Sequence, residues 1–275
     1  MISRHRRLRV GIATLATAIV FSQSTAFAGT LDESTDAKNP GIAIGSVIPH
    51  AFAAGSQSNK ETFIQKQVNI YGAFALIQGH LLIGDELVKR RHWSHALPHF
   101  DALMKEWEEL AKKSAGLPDI SELRDELPGL VEAVKTKDDS YEQRADTTQK
   151  KLTALLNRFR DTLPAPVAKI AVKAVNSVLR IAATTYAASI DNGQFVNPTQ
   201  YQYSRGLVWS AELIYVDHSL ELETANLRSL GQIRMLMNVL KAALPTAIPP
   251  KAPIARSEDL AATIVQIEQL STVYQ

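Results

Sequence analysis

The chain has 275 residues, 30 Lys and Arg against 28 Asp and Glu, 45% apolar residues and no cysteine. The absence of cysteine excludes disulfides, thiolate metal sites and haem attached through Cys-x-x-Cys-His. The formal charge of +2 is an end effect, because Arg4, Arg6, Arg7 and Arg9 are the only charged residues of the first 28; the remainder carries −2, and no nucleic-acid footprint is expected.

In chain order, the basic start is followed by an apolar run from Val10 to Phe21 and by Ala26-Phe27-Ala28. This is the layout of a secretory signal peptide, residues 1–28, cleaved after Ala28, and it predicts a periplasmic or secreted protein. The apolar run is short for a bilayer span, and no later stretch is apolar enough to be one, so no transmembrane segment is expected in the mature chain. Residues 29–58 show no sustained period and read as a flexible leader. Residues 59–275 can bury a full core as a single helical domain.

Leu76, His80, Ile83 and Leu87 recur at steps of three and four, and Ala96, Phe100, Leu103 and Trp107 repeat the pattern after a polar turn. Two such stripes joined by a short connection predict an antiparallel helical hairpin, with Ser94 as the cap of its second helix. Gly116-Leu117-Pro118-Asp119 is a stop signal, after which a helix restarts at Ser121 with Pro128 at its start or at a kink. An amphipathic helix is expected over 139–163. The Ala- and Val-rich stretch 167–190 reads as a buried central helix. Asn197-Pro198 opens a helix running to about Thr224, another covers 227–244, and Ser257-Glu258-Asp259 caps a last one over 260–270. No alternating pattern appears. The fold class is all-α, an antiparallel helical bundle of about seven to nine helices. Tyr71, Leu81 and Asp85 recur as Tyr203, Leu213 and Asp217 at a constant offset, which leaves open two similar hairpin halves.

Histidines concentrate in the hairpin. His95 and His99 are one helical turn apart with His92 just before them, a spacing able to chelate Fe, Cu or Zn; the bland alternative is a partly exposed flank of the core stripe. His80 lies within an apolar stripe and needs either a hydrogen-bond partner or a function. Asp85, beside it, and the trio Asp217, His218 and Glu221 supply oxygen and nitrogen donors for a second cluster, with plain surface hydrogen bonding as the alternative. No phosphate loop, nucleophile elbow or His-Glu-x-x-His motif is present, so an enzyme is disfavoured.

Two short segments carry resemblances. Gly84, Leu87, Trp93, Ala96 and Phe100 resemble the small and aromatic positions of one tetratricopeptide helical pair, although Arg91 stands where that repeat has Gly. Asn192-Gly193-Gln194-Phe195-Val196-Asn197-Pro198-Thr199-Gln200-Tyr201 resembles the Asp-Gly-x-Val-x-Asn-x-x-Glu-Tyr segment of the periplasmic helical extensions of high-affinity iron permeases, departing from it at Asn192, Phe195 and Gln200. The second resemblance implies a periplasmic helical module linked to metal transport. The sequence thus points to a secreted helical protein binding a metal ion or metal complex for uptake or homeostasis, with a metal transporter or another envelope protein as partner. The alternative is a metal-free helical scaffold for an envelope protein or an apolar ligand.

Overall fold

The computed structural model describes residues 51–113 and 121–275. The signal peptide, most of the leader and the stop signal at 116–119 lie outside the described residues. These form eight α-helices: α1 (Ala51–Lys89), α2 (Trp93–Lys113), α3 (Ser121–Thr136), α4 (Tyr141–Asp161), α5 (Val167–Ala188), α6 (Pro198–Asp217), α7 (Ser219–Ala243) and α8 (Ser257–Ser271), with a final 3-10 turn Thr272–Tyr274. A two-residue ribbon, β1 (Ile190–Asp191) and β2 (Gln194–Phe195), joins α5 to α6. The all-α bundle expected from periodicity is thus what forms. Residues 51–58, read as the end of the leader, belong to α1.

The connections follow from local chemistry. Arg91, at φ 63°, ends α1 in the left-handed conformation that Gly usually supplies. Arg91 N–H donates to the Val88 carbonyl and His92 N–H to that of Leu87, the paired bonds that close a helix end. Helix α2 begins at Trp93, its first free donors reaching the His92 carbonyl from His95 and Ala96; Ser94 therefore lies inside the helix and is not its cap. Similarly, Ser257 is the first residue of α8, and the cap position belongs to Arg256, whose guanidinium pairs with Asp259. Asn192 and Gly193 both have positive φ, the type I′ hairpin turn that Asn-Gly favours, and Asn197 caps α6 by accepting from Gln200 N–H at 3.2 Å.

The helix expected from 198 to 224 is cut at His218, where φ −102° and ψ 11° turn the chain into α7. No Gly or Pro marks this break; a tertiary bond of the His218 ring, described below, accompanies it. The second break, expected between 224 and 227, is the kink at Asn226, whose Oδ1 accepts from Ser229 N–H and caps the following segment.

The core lies where α1 runs antiparallel to α6 with α5 beside both. Gly79 and Gly206 let the two backbones touch: a Cβ on Gly206 would lie 2.2 Å from the Gly79 carbonyl oxygen. Ser210 Oγ donates to the Ala75 carbonyl at 2.8 Å along the same seam. Within the first hairpin, Gly84 faces the Phe100 ring, which explains the small and aromatic positions there by helix packing alone. The two segments of the internal echo have unlike surroundings, since Leu81 is buried and Leu213 exposed.

Candidate functional site

Burial regroups the candidate residues. His80 on α1 and His99 on α2 are 5% and 0% exposed, and their Nδ1 atoms face each other at 3.3 Å. The bland expectation of a partly exposed His99 is thus corrected, because α2 turns that face onto α1 and α6. His99 Nε2 lies 3.2 Å from Oε1 of the fully buried Gln202, and Gln202 Nε2 lies 3.4 Å from Nδ1 of the half-buried His95. An amide oxygen only accepts, so His99 carries its proton on Nε2 and offers a lone pair at Nδ1; His80 then donates from its own Nδ1. Tyr203 stacks on the His80 ring at 3.9 Å with planes 7° apart. Burial, with His99 as a neighbour, pulls the His80 pKa down to about 3. Burial also lowers that of His99 to about 4, against the opposing Gln202 hydrogen bond. Both rings are neutral at pH 7. His92 is exposed, its ring 6.1 Å from that of His95.

A second polar centre lies at the α6–α7 corner. Tyr71 and His80 are nine residues apart on α1, about 13 Å of helical rise, so the two centres are separate. His218 is 5% exposed, and its Nε2 lies 2.9 Å from the Tyr71 hydroxyl. Its Nδ1 faces Glu221 Oε2 at 3.8 Å, too far for a hydrogen bond. Glu221 Oε2 accepts from Ala168 N–H at 3.2 Å, at the start of α5, where a carboxylate is favoured. Asp217 pairs with Arg160 of α4 at 3.5 Å. Burial, then Arg160, lowers the His218 pKa to about 4. These side chains border a cleft of ≈650 Å³ lined also by Asp161, Val167, Leu220 and Thr224.

Asp85 joins neither centre: Lys89 holds it at 2.6 Å and the Tyr141 hydroxyl donates to it at 3.3 Å. Among the described residues no three His, Asp or Glu side chains already form a metal-ligand set. Sequence reasoning missed Gln202, Tyr71 and Arg205 as site neighbours. Arg205 binds Glu86 at 2.9 and 3.2 Å, donates to the Leu244 carbonyl and covers the Trp209 ring at 3.9 Å. A polar residue on the inward face of α6, next to Gly206, was the available signal.

The hairpin turn 190–195, the Asn197 cap and the buried Tyr201, packed at 4.8 Å on Phe195, give structural reasons for the segment that resembles iron-permease extensions. Residues 165–274 match the iron permease-associated 4-helix bundle domain. The matched stretch is α5 to α8. It contains Asp217, His218, Glu221 and Gln202, whereas His80, Asp85, His92, His95 and His99 belong to the helices that precede it. No curated protein and no solved structure matches the chain significantly. Among the described residues no helix is long and apolar enough to cross a membrane.

Proposed function

We propose that the protein is a secreted, periplasmic helical component of metal uptake, and that the cleft at His218 receives a first-row metal ion as cargo for a transporter. One observation carries this reading: within the iron permease-associated domain, the nearly buried His218 aims an unpartnered Nδ1 at Glu221 across an open cleft. The Tyr71 hydroxyl, at 2.9 Å from Nε2, holds the ring; metal binding through Nδ1 requires the tautomer in which Nε2–H donates to the Tyr71 oxygen. Two donors sharing one ion with bonds of about 2.1 Å stand roughly 3.0–3.4 Å apart, so the 3.8 Å gap closes with a small side-chain rotation. Asp217 and Asp161 line the same cleft and offer further oxygens, once Asp217 leaves Arg160. One imidazole with carboxylates suits Fe(II) or Zn(II). The metal displaces the Arg160–Asp217 pair instead of entering a preformed cage, in keeping with an ion that must be released again.

Anaerobic calorimetric titration with Fe(II) and with Zn(II) tests this. Affinity should fall at least tenfold in His218→Ala and in Glu221→Gln, and stay unchanged in His92→Ala. Equal affinity in wild type and His218→Ala would overturn the assignment.

A metal-free scaffold is a second reading because Val216, Leu220 and Leu227 are exposed at the same corner, Leu220 at 78%. It requires an envelope partner that binds through this corner equally well in the wild type and in His218→Ala.

A further inference from the structure

The geometry points to a second, buried site between His80 and His99, suited to a monovalent d10 ion, Cu(I) by chemical class. The ring centroids are 5.6 Å apart and the Nδ1 atoms 3.3 Å, a difference of about two ring radii, so the nitrogens meet head-on along one line. A hydrogen bond between them is long, since N–H donors usually sit about 2.9–3.0 Å from their acceptors. A linear ion with two bonds of about 1.9 Å spans about 3.8 Å, so the rings need to part by only about half an ångström. Both rings are already held in orientation, because Gln202 fixes the His99 proton on Nε2 and Tyr203 clamps the His80 plane.

Charge selects the ion. The hydrogen-bonded group comprises three imidazoles and an amide, with no carboxylate. Burying a double charge there costs roughly four times the desolvation of a single one, because Born energy grows as the charge squared. On binding, His80 moves its proton from Nδ1 to Nε2, and no proton is lost overall. The half-buried His95 is joined to His99 through Gln202.

The proposal is tested by anaerobic titration of the full protein with Cu(I) against a coloured Cu(I) chelator, read together with the 15N spectrum of the histidine rings. One equivalent should bind, shifting the Nδ1 resonances of two histidines; His80→Gln and His99→Gln should each weaken it at least tenfold, while His218→Ala should retain it, which separates this site from the cleft. Failure of the wild type to take Cu(I) from the chelator, or ring shifts confined to His92 and His95, would overturn the proposal. If a glutamine variant proves unfolded by circular dichroism, the wild-type ring spectrum decides alone.

Discussion

Three imidazoles, on His80, His99 and His218, are kept neutral by burial, and this sets how the fold responds to acid. Their folded pKa values lie below the unfolded value of about 6.5, so the unfolded chain binds more protons as pH falls through that value. Their stabilising contribution is fully present above about pH 6.5 and is lost towards pH 4, at about 1.4 kcal/mol per pH unit for each histidine. Urea midpoints measured near pH 7 and near pH 5 should therefore differ by several kcal/mol in unfolding free energy, the acid sample being weaker. Equal midpoints would mean that these rings take up protons in the native protein as readily as in the unfolded chain. The spacing of His80 within an apolar stripe announced a buried histidine in need of a partner. That the partner is His99, and that Gln202 continues the chain, depends on a three-helix junction whose members are far apart in sequence.

At the level of elements, α1 and α6 come into backbone contact at Gly79 and Gly206. Gly206→Ala places a methyl group 2.2 Å from a backbone oxygen, and the helices must separate; a loss of about 3 kcal/mol is expected. Gly231, in α7, has nothing within 4 Å of its would-be Cβ, and Gly231→Ala should add about 0.8 kcal/mol through helix propensity. Thermal melts of the two variants should move in opposite directions; a neutral Gly206→Ala would refute the tight crossing. Helix existence was legible because the 3.6-residue period is written in each segment. The ends were less so: Arg91 and Lys137 adopt the left-handed conformation without being Gly, and His218 breaks a helix without Gly or Pro. At Arg91 and Lys137 the paired local bonds that close a helix end offset a preference of about a kcal/mol, and at His218 a tertiary bond to Tyr71 accompanies the break.

For the whole molecule, the stretch that matches the iron permease-associated 4-helix bundle domain is not free-standing in this chain. Helix α1 covers α5 and α6 with Tyr71, Ala75 and Gly79, and supplies the hydroxyl that orients His218. The described residues, 51–113 and 121–275, accordingly belong to one compact unit. A fragment of residues 165–275 should expose the apolar seam of α5 and α6, lose its near-UV circular dichroism and self-associate on size exclusion. A monomeric fragment with a sharp melt would show that the first four helices are dispensable for folding.

The sequence by itself determined the all-α class, most helix positions and the resemblance of the segment after α5 to iron-permease extensions, because each is encoded in local periodicity or turn chemistry. Only the tertiary structure decided which polar residues meet. Hydrogen bonds such as Tyr71 to His218 and His99 to Gln202 link residues more than a hundred positions apart, and no local pattern encodes a contact that exists only once helices have packed.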